Sequence, residues 1–343
     1  MHSLPPQLPG ETAPGPPSWG PGDPDFMRRN IKRASESTAA ASSIRAAVLR
    51  PHAKCMRRHE RALRRCQARP TAKSVHDLRI ATRRLLAQLE LLQSFVPDRA
   101  LRKARRRLKG QLRASALLRD AQVQLETMHE MLPEHPELAP VYRHLEKNEQ
   151  CLRRFAKRNL GGGGRLLRRL KAIERGAASG LCARDAIARY RATVRLVIGR
   201  ASRRLAQFRL SPPRDSGGIH RFRIALKRLR YLIESLPEEL SAPKPKVIGL
   251  IRAQLGLMGR IHDLDLLIVR LEGISAKKKR RHDRLEPIRR SLRLKYRAQV
   301  AGWRRRAKEL FAGIDALSRD DPRLPRRAGE RAPSPAFRRK PPQ

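Results

Sequence analysis

Aromatic side chains make up only 4% of the 343 residues, and the two tryptophans, Trp19 and Trp303, stand in a proline-rich leader and an arginine-rich segment. That scarcity removes the stacking platforms on which readers of single-stranded nucleic acid rest. No apolar run approaches the roughly 18 residues that a membrane-spanning helix needs. The first 25 residues lack the apolar stretch of a secretory signal, so a cytoplasmic location is expected. Cysteine is scarce too: Cys55, Cys66, Cys151 and Cys182 form no C-x-x-C pair and have no neighbouring histidine at zinc-site spacing. Neither a disulfide framework nor a metal site is expected from them. Segments of alternating polarity that would read as strands are also missing.

Acidic residues are the other deficit. Asp and Glu number 31 against 79 Lys and Arg, a formal charge of +48. Self-repulsion on that scale is costly unless a polyanion relieves it, so an anionic partner is the first inference. Apolar residues still make up 40% of the chain, enough for real cores, and the length suits two domains or two repeats. They recur at intervals of three and four, which predicts an all-α protein. Helices are expected over 36–66, 73–95, 99–130 and 137–159, then 183–208, 219–236, 244–273 and 279–313, four followed by four. Residues 1–35 read as a disordered leader, its first 26 residues too rich in proline for regular structure, with Met27 an alternative start. Residues 314–343 read as a disordered basic tail. The folded part is taken as 36–313, with a first helical repeat at 36–160, a glycine-bearing connector at 161–182 and a second repeat at 183–313.

The two sets of helices share a sentence. VHDLRIATRRLLAQLELL at 75–92 and IHRFRIALKRLRYLIESL at 219–236 agree at eight of eighteen positions. At about 100° per residue, Leu78, Ala81, Leu85, Leu89 and Leu92 fall within about 80° of one another and form a core-facing stripe. His76, Arg79 and Arg83 lie opposite, with Glu90 on the same line. In the second copy Phe222, Ala225, Leu229, Ile233 and Leu236 make the stripe, and His220, Arg223, Lys227, Arg230 and Glu234 line the other face. A merely solvated face tolerates any polar residue, whereas both faces here keep His, Arg at i+3 and a cation at i+7.

That residue choice suits phosphate. The guanidinium donates two parallel hydrogen bonds to a phosphate and stays charged at every relevant pH. Cations one turn apart, about 5 Å, make a ladder along which successive phosphates of an extended chain can sit. Histidine joins as a neutral donor, and its pKa should rise toward the charged form beside a polyanion. Because these side chains point away from the apolar stripe, they are expected to matter little for folding.

The motifs V-H-D-L-R-I-A-T-R-R and I-H-R-F-R-I-A-L-K-R-L-R-Y resemble the signature of CHAD domains, the conserved-histidine α-helical family. A second family feature, L-G-x-x-R-D before an apolar run, resembles SALLRDAQV at 115–123 and MGRIHDLDLL at 258–267. Ser115 and Ala116 stand where Leu-Gly is usual, and Gln122 where a second acid is common. The resemblance implies two four-helix bundles related by a pseudo-twofold, binding inorganic polyphosphate in a basic central groove on polyphosphate granules. It carries the binding role to His76, Arg79, Arg83 and Arg84, and to His220, Arg223, Lys227, Arg228 and Arg230. Arg57, Lys109, Arg119, Arg260 and Lys295 are further candidate groove cations. Asp120 and Asp263 read either as partners that orient the groove arginines or as helix caps. Many family members carry an N-terminal CYTH phosphatase domain, and this chain is expected to be a stand-alone module.

Catalysis is not expected. His76-Asp77 and His262-Asp263 invite a metallohydrolase reading, but the dyads fall at different places in the two copies, Arg221 standing where Asp77 would recur. No cofactor or metal is expected. No paired carboxylate, phosphate-binding glycine loop or nucleophile–base arrangement appears, though a phosphohistidine carrier at His76 or His220 stays open. Nonspecific DNA or RNA binding at low salt is the main alternative, since the charge alone would attract either. A granule protein that uses these helices only for protein contacts is the third reading.

Overall fold

The computed structural model describes residues 24–209, 212–237, 245–275 and 279–319, and every regular element in them is helical. The leader and tail expectations for 1–23 and 320–343 lie outside the described residues. In chain order the helices are α1 (Pro24–Ala68), α2 (Ala72–Leu91), α3 (Asp98–Ala114) and α4 (Ala116–Met131). After a 3-10 turn at Pro136–Leu138 come α5 (Ala139–Asn159), α6 (Gly163–Gly180), α7 (Ala186–Ala206), α8 (Ser216–Ile233), α9 (Pro245–Ser275) and α10 (Lys279–Arg319). The four-plus-four order survives: α1, α2, α3 with α4, and α5 precede α6, and α7 to α10 follow it.

Three boundaries differ from the sequence-based expectation, each for a physical reason. First, α1 begins at Pro24 and α10 reaches Arg319, both inside spans assigned to disordered ends. Proline is tolerated in the first turn of a helix, where its missing N–H has no intrahelical acceptor anyway. Second, the helix expected over 99–130 breaks at Ser115, whose φ of −99° and ψ of 4° leave the helical range. The Ser115 hydroxyl donates to the Gln111 carbonyl at 2.9 Å beside the Ser115 N–H at 3.1 Å, a shared acceptor of the kind that bends helices at serine. Third, the connector contains a full helix, α6. Leu166, Leu170, Ile173 and Ala177 bury one stripe of it, and that burial outweighs the weak propensity of its glycines. Among the described residues only Gly162, at φ 77°, takes the left-handed conformation, and it caps the start of α6.

The two motif helices begin alike. The Thr71 side chain accepts from the Ser74 N–H at the start of α2, and Asp215 accepts from the Gly218 N–H at the start of α8. Their stripes are buried as expected: Leu78, Leu85, Leu89 and Leu92 on α2, and Phe222 and Leu229 on α8, are essentially inaccessible. Phe222 sits edge-on to Phe208, Trp303 and Phe311, with centroids 5.3, 5.5 and 5.8 Å away. Trp303 therefore belongs to the core despite its arginine-rich neighbours.

The apolar interior is not divided along the boundary between the halves. The largest cluster joins α1, α2, α3 and α6 to α7, α8, α9 and the end of α10. A second joins α4 and α5 to the C-terminal part of α9 and the start of α10. Helices α2 and α8 pack on each other, as do α4 and α9, and α2 also contacts α4 while α8 contacts α9. Four mutually packed helices thus carry all four sequence motifs. Replacing Phe222 with Ala removes the ring on which three aromatics converge and should cost about 3 to 5 kcal/mol in denaturant unfolding. A loss below about 1 kcal/mol would show that the halves do not share this core.

Candidate functional site

The outward faces of α2 and α8 meet above this four-helix layer. Arg79 and Arg83 on α2, and Arg223, Lys227 and Arg230 on α8, are each half-buried, while His76 and His220 remain more open at the helix starts. Arg119 and Asp120 come from α4, and His262 and Asp263 from α9. The His220 and His262 rings stand 5.1 Å apart.

Positive charge here is crowded and poorly solvated. Burial lowers the pKa of Arg79 to about 10, with Arg83, Arg119 and Arg223 pushing the same way and Asp120 opposing. Arg83 and Arg223 are lowered chiefly by burial as well. Lys227 is the extreme case, brought down to about 6 by burial and then by Arg223, Arg83, Arg79 and Arg230. Among the described residues no hydrogen bond or ion pair reaches its amine. His76 and His220 are lowered by burial and by the surrounding cations, and His262 falls to about 4 for the same reasons. The histidines therefore wait in the neutral form and would take up a proton if an anion entered.

Asp120 on α4 and Asp263 on α9 are the acidic groups that act on these arginines. Burial raises both, while Arg79 and Arg223 for the first, and Arg223 and Arg119 for the second, hold them down. Neither is a helix cap: Asp263 lies in the interior of α9, and Asp120 in the second turn of α4. Each acts on the buried guanidinium groups as an opposing charge, Asp120 on Arg79 and both on Arg223, without an ion pair to either among the described residues.

Two residues expected in the groove are engaged elsewhere. Arg84 on α2 reaches Glu234 on α8 at 3.6 Å, and Arg228 on α8 donates to Glu90 on α2 at 2.6 and 3.1 Å. The pairs are reciprocal, as an isologous twofold contact requires, and they tie the two basic helices together. Arg230 keeps its place beside the cluster but is held by Glu234 at 3.2 Å and lies 4.8 Å over the Tyr231 ring. Arg79 contradicts the expectation that these cations are dispensable for folding. Its guanidinium donates to the Leu112 carbonyl at 2.8 Å and to the Ser115 hydroxyl at 3.3 Å, closing the C-terminal end of α3.

Of the five further candidates, Arg119 joins the site, acting on His76, Arg79, Asp120 and Asp263. Arg57, Lys109, Arg260 and Lys295 stay exposed on α1, α3, α9 and α10, and none is among the charges that shift the cluster's groups. The sequence presents His262 first as half of a possible metal dyad, which hides it as a member of the cluster. Aligning SALLRDAQV with MGRIHDLDLL sets it opposite Arg119, which is the signal that finds it. Among the described residues, no group of three or more His, Cys, Asp or Glu is placed to hold a metal ion.

The arrangement is a half-buried bed of fork-shaped and point-charge donors with histidines at its rim, suited to an extended anion. The CHAD domain family model matches residues 47–272, which contain every residue of this cluster. In fold the chain is similar to the crystal structure of the CHAD domain from the plant Ricinus communis, at 19% identity and a TM-score of 0.54 over 80% of this chain and 92% of that one. No curated protein matches the sequence significantly. No helix among the described residues is long and apolar enough to cross a membrane.

The unliganded cluster has a definite pH signature. Lys227 titrates at about 6 when folded against 10.5 for a free lysine, so the unfolded chain binds the extra proton between those values. Stability should rise with pH across that window and level off at its lower value once pH has dropped below about 6. Lys227→Met should stabilise the ligand-free protein at pH 7 and flatten that slope, whereas Arg79→Ala should cost about 1 to 3 kcal/mol through its charge-assisted bonds to α3. Thermal unfolding from pH 6 to 10 reads both effects, and an unchanged slope in Lys227→Met would exclude the assignment.

Proposed function

Because the chain belongs to the CHAD domain family, we propose that it binds inorganic polyphosphate between α2 and α8, without turning it over, as a polyphosphate-granule protein. One observation carries this reading: Lys227 lies among Arg79, Arg83, Arg223 and Arg230 with its charged form strongly disfavoured, a state that a chain of anions relieves. Polyphosphate presents a charge on every unit. Arg79, Arg83, Arg223 and Arg230 receive its oxygens through planar forks, and Lys227 regains its proton as a point charge. His76 lies at the start of α2, and His220, beside His262, at the start of α8; each supplies a further donor on protonation.

A chain long enough to touch both helices engages the second one intramolecularly and gains far more than twofold in affinity. Each added phosphate also releases counter-ions, so affinity should increase with chain length and fall steeply with salt. Arg84 and Arg228 are assigned to holding the helices together, leaving Arg79, Arg83, Arg223, Lys227, Arg230, Arg119 and the three histidines as the binding set.

The test compares long polyphosphate, short phosphates and duplex DNA as competitors for one labelled polyanion at physiological salt. Long polyphosphate should win at equal phosphate concentration, and DNA binding more tightly would favour a nucleic-acid function. Arg83→Ala with Lys227→Ala should weaken long-chain binding by about 100-fold or more, since two contacts to ionised groups are lost at about 1.5 to 3 kcal/mol each. Among the described residues neither side chain makes a hydrogen bond that props another helix, so the fold should persist. Wild-type affinity in this double variant would remove the groove from the account.

A further inference from the structure

Helix α1 carries a third cation row with the spacing of the two motif helices. Arg58, Arg61 and Arg65 stand at the same intervals as His76, Arg79 and Arg83, and as His220, Arg223 and Lys227. This row does not enter the groove described above. It faces the flank of α2 that presents Asp77, Ile80, Ala81 and Arg84, roughly 120° around that helix from the Arg79–Arg83 face. Between the two helices lies a cleft of about 770 Å³.

The cleft has an uncharged floor of Cys55, Ala62, Ile80 and Ala81, and a surround of Arg58, Arg61, Arg64, Arg65 and Arg84. Asp77 is the one carboxylate of the lining, and Arg65 reaches it at 3.8 Å. Arg64 is held by Glu60 at 2.6 Å, and Arg84 leans to Glu234 at 3.6 Å. Arg58 and Arg61 meet no carboxylate among the described residues. Concave walls lined by one sign of charge focus the field and concentrate counter-ions. Arg58 and Arg61 thus offer two free guanidinium forks, and a ligand can draw Arg65 from its long contact with Asp77.

The geometry points to a second anion site, between α1 and α2, for a small molecule that carries two or three linked phosphates. The volume lies within the range of small-molecule sites, not of a groove that tracks a polymer. Two sources share that chemistry: a short free polyphosphate and a nucleoside polyphosphate. The apolar floor favours the second, since a nucleoside can lie over Ile80, Ala62 and Ala81 and stack on an arginine plane while its phosphates meet the row. This site stands independently of the central groove, and the two fail separately.

The experiment starts from the full chain carrying Arg83→Ala and Lys227→Ala, in which the central groove is disabled. Calorimetric titration with adenosine triphosphate and with tripolyphosphate should still find about one equivalent bound. Adding Arg58→Ala and Arg61→Ala should weaken that binding at least tenfold. The same α1 pair placed in the wild-type chain should leave long-polyphosphate affinity within about twofold. Tighter binding of the nucleotide assigns the floor to the nucleoside, the opposite order assigns the site to the phosphate chain alone, and both uphold it. Cys55 lies in the lining, and because burial raises its thiol pKa it is probed at alkaline pH, where it reports occupancy in the unaltered protein. Its alkylation, followed by peptide mass spectrometry, should slow when nucleotide is added, while exposed Cys151 and Cys182 react unchanged. Absence of binding in the groove variant, or full binding after loss of Arg58 and Arg61, would overturn the proposal.

Discussion

Two helices lined with cations are packed against each other, and the repulsion between them must be offset before anything else in this fold can work. The offset comes from three kinds of contact, all on the faces turned away from the cations or toward the C-terminal ends. Apolar stripes anchored by Leu85, Leu89, Phe222 and Leu229 bury α2 and α8 in one interior. The Gln88 amide donates to the Ser235 carbonyl at 2.9 Å across the buried contact. The exchanged pairs Arg84–Glu234 and Arg228–Glu90 then place attraction beside the region of repulsion. Partly buried pairs of this sort contribute little net stability, but removal of either glutamate would leave an arginine uncompensated at the helix contact.

What remains is a cluster whose charge is held but not neutralised. Asp120 and Asp263 lie near enough to lower the cost of burying Arg79 and Arg223 without balancing the whole set. Arg79 serves two ends at once, closing α3 and contributing to the cluster, which ties the shape of the site to the break at Ser115. Strong depression of Lys227 is the electrostatic record of that imbalance. Under the proposed function, an anion entering such a site would restore protons and relieve repulsion, which would link its affinity to pH as well as to salt.

Much of this was legible in the sequence because helix periodicity is local. Three-and-four spacing separated Leu78 and Leu85 from Arg79 and Arg83 without knowledge of any neighbour, and duplication of the pattern pointed to the second face. Partner choice was not legible. Arg84 and Arg83 are adjacent in the chain, and only the approach of α8 decides that one meets Glu234 while the other meets the cluster. Helix α6 was hidden because its glycines argue for a connector, whereas its four buried apolar residues make a helix once other helices are there to cover them. The role of Arg79 in closing α3 was hidden for the same reason, since its acceptor at Leu112 lies on another element.

The most direct test of the central claim, that anion binding relieves suppressed charge on Lys227 and the neighbouring histidines, is the proton balance of binding. Long polyphosphate is titrated calorimetrically into the full chain at pH 7.5 in buffers of different ionisation enthalpy. Lys227 at about 6, His262 at about 4 and His76 and His220 below 6.5 are mostly neutral at that pH, and a bound polyanion raises all four. Net uptake on the order of one proton per bound site is the predicted result, with affinity falling as pH rises above 6 and with uptake reduced in Lys227→Arg. A binding enthalpy independent of the buffer, or net proton release, would contradict the account.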